Sequence, residues 1–227
     1  MKVALNTMWE HFPTSQWEEF KSLTSLGEDS ISLVTIAERL GIKKAIEALR
    51  CVPYQYSQMF AAICAAHVLP IFEGNCSDTE PREAVNALLE LMQKGDREAS
   101  WQAYDAYCNL FNWVWMRTEE TRWYPNIYAM TAAASAAHCA VETRMCSHYP
   151  KRAGLVVDTA KLAAKAAYLL ARDTTVALEM DDSRPEIAAM PMEERFKMSR
   201  EKAHAAGKAA SRKEREYQMG MFIELFS

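Results

Sequence analysis

Apolar positions recur at three- and four-residue intervals along most of the 227 residues, the spacing that gathers them on one face of an α-helix. Near the start, Trp17, Phe20 and Leu23 fall at this spacing in QWEEFKSL. Thr14 or Ser15 is placed to cap that helix, and Gly27 to end it. Leu33, Ile36, Ala37 and Leu40 share a face. Ile42, Ala45, Ile46 and Leu49 share another after Gly41, which predicts two short helices or one kinked helix. Beyond Pro53 the pattern predicts a helix over residues 56–72, with Met59, Phe60, Ile63, Cys64, His67, Val68 and Ile71 in a broad apolar stripe. Pro70 sits late in that helix, where it kinks or ends it. Asn75 to Asp78 form a polar break. Ser77 or Asp78 can cap the next helix, which buries Val85, Leu88, Leu89 and Met92 and stops at Gly95.

The second half reads as longer helices. Residues 99–116 form an unusually aromatic one, and an alanine-rich helix follows around 132–145. Pro150 separates it from another over 152–172, with Leu155, Val156, Leu162, Ala166 and Leu169 inward. Residues 173–194 hold a double acid, two prolines and little periodicity, which predicts a loop. A last helix spans residues 192–226. The fold class is therefore all-α: a multi-helix bundle of roughly 8–10 helices. Its parts are an N-terminal helical region (1–52), an alanine-rich bundle core (53–172), the loop (173–194) and a basic C-terminal helix (195–227) packing back on the bundle.

Composition agrees: 7 glycines and 8 prolines are few turn residues for this length, and helix formers abound. The formal net charge of −4 points to no particular partner, but it is unevenly spread. Residues 1–100 carry 14 acids and 9 bases, whereas 195–227 carry 4 acids and 8 bases. Six cysteines (Cys51, Cys64, Cys76, Cys108, Cys139 and Cys146) are scattered without a CxxC pair, which fits reduced thiols packed as small hydrophobes. MKVALNTMWEHF is too polar for a signal peptide, and no run approaches the roughly 20 apolar residues of a membrane span. A cytoplasmic protein without membrane contact is expected.

AAICAAH (61–67) returns as AAASAAH (132–138), each within a helix that precedes another. Two readings stay open: a duplicated helical hairpin, or convergence of alanine-rich helices. The chain also resembles the alanine-rich helical "immunity protein" family of bacterial and phage genomes. The resemblance rests on IAERLGIKKAIEALRCV (36–52), CAAHVLPIFEGNCSDTEPREAVNALLELMQKGD (64–96), the alanine-rich helices of 129–172 and KEREYQMGMFIELF (213–226). It departs where the family's Arg-Pro helix start becomes Glu80-Pro81-Arg82, and where the tail Trp becomes Tyr217. The resemblance implies an all-helical fold and a role in neutralising a toxin. It carries no catalytic residues.

Candidate chemistry is sparse. His67 and His138 each end a matched segment, with Cys64, Glu73, Cys139 and Glu142 nearby, but neither stands in an HExxH or ExxH pattern. A histidine bonded to a neighbouring carbonyl or acid is the favoured reading over a metal site, so neither metal nor cofactor is expected. TIAERLGI looks like the start of a helix-turn-helix, but KKAIEALRCVPY lacks a base-reading face. No Gly-rich phosphate loop and no GxSxG elbow is present. The aromatic stretch 101–128 suits a core. Its functional reading is a patch for a protein partner with Trp113, Trp115, Arg117, Arg122, Trp123 and Tyr124 as anchors. The basic run 195–215 suits a solvated face. Its functional reading is phosphate contact through Lys208, Arg212, Lys213 and Arg215.

The expected function is a non-enzymatic protein-binding inhibitor of the immunity type. Its partner would be a toxin, or a host defence component such as a CRISPR effector if the gene is phage-borne. The alternative is a nucleic-acid-associated regulator using the basic C-terminal helix. A metal- or His-dependent enzyme ranks last.

Overall fold

The computed structural model describes residues 1–25, 27–94, 97–120, 127–145, 149–181 and 183–227, excluding the side chains of 97, 114–120, 127–128, 130–131, 144–145, 149–153, 186 and 188. Strand β1 (Lys2–Ala4) leads into α1 (Leu5–His11) and α2 (Thr14–Lys21). Strand β2 (Ser30–Ser32) is followed by α3 (Leu33–Leu40), α4 (Ile42–Ala48) and a 3-10 turn (Leu49–Cys51). Then come α5 (Tyr54–Glu73), α6 (Glu80–Lys94), α7 (Arg97–Glu120), α8 (Ile127–Met145), α9 (Tyr149–Glu179), α10 (Pro185–Ala188) and α11 (Met192–Phe226). The class is all-α.

The ends of several elements differ from expectation. β1 and β2 pair antiparallel, Val3 opposite Ile31. Three-residue strands are too short to show a period, so only the burial of Val3 and Ile31 reveals them. Helix α2 has no side-chain cap: Pro13 precedes it, and Thr14 is already helical. It ends at Lys21, so Leu23 lies beyond it and Gly27 sits in a turn with φ 91. Gly41, at φ 85, separates α3 from α4 cleanly. Ser32 caps α3, its Oγ accepting from the Val34 amide at 3.2 Å. Pro70 falls in the last turn of α5 without ending it.

The expected loop over 173–194 is largely structured. Helix α9 continues to Glu179, α10 occupies Pro185–Ala188, and α11 begins at Met192. Tertiary contacts supply what periodicity lacks. Arg195, buried, donates to the Met180 carbonyl at 3.2 Å, and Lys202 pairs with Glu179 at 2.9 Å.

Helix α5 lies at the centre, packed on α6, α8 and α9, while α9 packs along α8 and α11. Small side chains bring these helices close: Ala61, Ala62 and Ala65 of α5 are buried, as are Ala133, Ala136 and Ala137 of α8 and Ala163 and Ala166 of α9. The two AAx[CS]AAH segments thus lie on helices packed against each other. One apolar cluster runs from Val3 through Phe60 and Val156 to Phe222 and Phe226, so the segments 1–52 and 195–227 share a core with 53–172. Phe60 and Phe222 meet edge to face, centroids 5.4 Å apart. No helix among the described residues is long and apolar enough to cross a membrane.

Candidate functional site

Helix α7 turns its small residues inward and three of its aromatics outward. Ala99, Ala103 and Leu110 are buried, while Trp101, Tyr104 and Phe111 are 58%, 47% and 39% exposed. At 3.6 residues per turn, 101, 104 and 111 fall on one face and 99, 103 and 110 on the opposite one. The reason is packing distance. α7 sits against α6 and α8, and a small-residue face allows the closer approach. The result is an aromatic stripe in water, with Trp101 and Tyr104 edge to face at 6.3 Å.

Trp113, expected among the partner anchors, is instead 5% exposed. Its ring packs edge to face on Phe72, centroids 4.9 Å apart, and its indole N–H donates to Asp78 Oδ2 at 2.7 Å. It lies on the inward side of α7, and Asp78 satisfies its one polar atom, so it belongs to the core. The side chains of Trp115 and Arg117, and all of Arg122, Trp123 and Tyr124, lie outside the described residues. The exposed stripe Trp101, Tyr104 and Phe111 is not among the residues the sequence singles out. Its signal was the alanine spacing on the other side of the same helix.

The two histidines go to different partners. His67 Nδ1 lies 2.7 Å from Glu214 Oε2, across 147 residues, and its ring stacks on Tyr217 with centroids 3.5 Å apart. The imidazole is 40% exposed and the Glu214 side chain 3% exposed. Glu214 Oε1 accepts from Gln218 Nε2 at 3.0 Å, and Gln218 also donates to the Ala160 carbonyl at 3.0 Å. Burial pushes the Glu214 carboxyl above its usual range, opposed by His67 and Gln218. An acid-held imidazole facing water has the form of an oriented general base. Cys64, the nearest thiol, is buried, and burial together with the Glu214 charge pushes it far up, so it stays a protonated core group. The arrangement clamps α5 to α11.

His138 lies among the rings of Tyr107 (5.2 Å) and Phe111 (5.6 Å), with Nδ1 4.0 Å from Glu142 Oε2. Its Nε2 is buried without a hydrogen-bond partner, and burial lowers its pKa. Burial also pushes the thiols of Cys51 and Cys139 up to about 12. Among the described residues, no three His, Cys, Asp or Glu side chains gather as a metal site would require.

Of the basic set on α11, Lys208, Arg212 and Arg215 are exposed and share one flank, at i, i+4 and i+7. Lys213 is exposed too but sits about 160° round the helix from Arg215. Arg215 lines a groove of about 370 Å³ between α4, α9 and α11, together with Lys43, Lys161 and Lys165. A second groove, about 840 Å³, runs along α9 and α11 past Tyr168, whose hydroxyl lies 2.9 Å from His204 Nδ1. Compared with protein-family models, curated proteins and solved structures, the chain finds no match in any of the three.

Proposed function

We propose that this chain is a non-enzymatic binding protein that covers a surface of a partner protein with the outer face of α7. The observation that carries this reading is the exposed stripe of Trp101, Tyr104 and Phe111. Interface energy concentrates in a few aromatic and arginine anchors, and three large rings exposed along one face of a helix are an unusual use of apolar area. The stripe stands on a helix whose inner face is locked to α6 and α8, so the anchors are held in place before binding and little side-chain entropy is lost. The mechanism is steric: a rigid helical face occludes the partner's working surface. The immunity-type resemblance supplies the partner class, a toxin or a defence component, as part of this proposal. The His67–Glu214 pair serves the fold in this reading.

The test is capture of the tagged chain from its native cells after cross-linking, with the parent compared with a Trp101→Ala, Phe111→Asp variant. Trp101 is largely in water, while Phe111 also packs on His138, so the melting curve of the variant is compared with the parent's, and Trp101→Ala, Tyr104→Ala replaces it if the fold is lost. The expected result is one dominant protein partner, cross-linked near α7, whose affinity drops at least about tenfold (about 1.4 kcal/mol) in the variant. A folded variant that binds as tightly as the parent, or cross-links confined to other faces, would overturn the proposal.

A further inference from the structure

The groove between α4, α9 and α11 brings together four cations from three separate elements. Lys43 comes from α4, Lys161 and Lys165 from successive turns of α9, and Arg215 from α11. Lys161 has a loose partner in Asp158 at 3.4 Å, both largely in water. Lys43, Lys165 and Arg215 have no ion pair among the described residues. Like charges around one opening repel each other, a cost that an anion between them removes. The chain as a whole carries a formal charge of −4, so this clustering runs against its average.

The floor beneath the cations is apolar. Ile46, Ala160 and Ala164 line it and are buried. Tyr168 also lines it with its aromatic side chain, and Ser211 adds a hydroxyl. Gln218 is held rigidly by its bonds to Ala160 and Glu214. A cavity of about 370 Å³ falls at the small-molecule end of ligand-site volumes, which run from about 300 to 1,000 Å³.

We infer that this groove binds a nucleoside diphosphate, its phosphates among Lys43, Lys161, Lys165 and Arg215 and its base on the apolar floor beside Tyr168. The apolar floor decides against a polynucleotide. Of the α11 cations only Arg215 lines this opening, and a phosphate backbone alone has no use for a buried apolar floor. The site uses elements other than α7, so it stands whether or not a protein docks there.

Isothermal titration calorimetry tests this on the full chain with ADP, UDP, pyrophosphate, adenosine and a single-stranded oligonucleotide of about ten nucleotides. The expected result is one ADP or UDP per chain, with Kd below about 1 mM and tighter than either pyrophosphate or adenosine. Lys165→Glu and Arg215→Glu should each weaken binding at least about tenfold with melting temperatures near the parent's. Should charge reversal disturb folding, Lys43→Ala and Lys165→Ala give the same reading more gently. Failure of both nucleoside diphosphates to bind would overturn the inference. So would pyrophosphate binding as tightly as they do, an oligonucleotide binding where they do not, or variants with unchanged affinity.

Discussion

Glu214 shows how much rests on single polar atoms in this bundle. Its carboxylate is almost wholly buried, with one oxygen served by His67 and the other by Gln218. Removing His67 leaves a buried carboxylate half-satisfied, so His67→Ala should lower stability by about 1–3 kcal/mol. Glu214→Gln, which removes the charge needing a partner, should cost less when combined with His67→Ala than the two changes cost separately. Denaturant melts of the four chains would show this coupling, and strict additivity would contradict it. His138 is the complementary case. Its folded pKa lies below the ordinary 6.5, chiefly because burial disfavours the imidazolium. The stability it contributes is therefore complete above about pH 6.5 and lost as the pH falls through its depressed value. His138→Phe should make stability less sensitive to acid between about pH 7 and pH 5. Melting curves of parent and variant across that range check it, and parallel pH profiles would exclude the effect.

Elements in this protein meet through their small residues. Gly207 of α11 touches α9 so closely that an added Cβ would lie 2.6 Å from Tyr168 Cε2 and 3.0 Å from the Tyr168 carbonyl. Gly207→Ala should therefore destabilise by about 1–3 kcal/mol despite its better helix propensity. Because the closest clash is with a ring, adding Tyr168→Ala should return part of that loss. The same reasoning applies where α5 crosses α8. Ala65 and Ala136 are fully buried, and Ala65→Leu or Ala136→Leu should each cost about 1–3 kcal/mol through overpacking. Unchanged thermal melts would mean the helices have room to move apart. At this scale much was readable beforehand. The helix over 56–72 appears as α5, Gly41 divides α3 from α4, and the last helix starts at Met192 as its periodicity predicts. Helix ends were read less well. The end of α9 depends on α11, through Lys202 on Glu179 and Arg195 on the Met180 carbonyl, and local sequence contains neither partner.

Across the whole molecule the chain separates its tasks by face. The largest apolar cluster of the interior joins the first strand to the last helix, and two smaller ones lie beside it. The outer side of α7 carries aromatics, and the α4–α9–α11 flank carries a cluster of cations. This separation explains how a chain with a mild negative charge presents a concentrated basic groove. It also makes the two proposed sites separable by experiment, since substitutions on α7 and on α9 touch different elements.

The sequence by itself determined the helical class, the position of most helices and the small-residue character of their contacts. These follow from interactions within one or two turns: apolar spacing, glycine at positive φ, proline in first turns. Only the tertiary structure decided which face of each helix meets a neighbour. Periodicity could not tell that Trp101, Tyr104 and Phe111 of α7 point out while Ala99 and Ala103 point in, or that Trp113 turns inward to Asp78. It could not pair His67 with Glu214, nor gather Lys43, Lys161, Lys165 and Arg215 around one opening. The physical reason is common to all four. A residue's partner across a helix crossing is set by where packing brings distant segments together, and no local pattern encodes that distance.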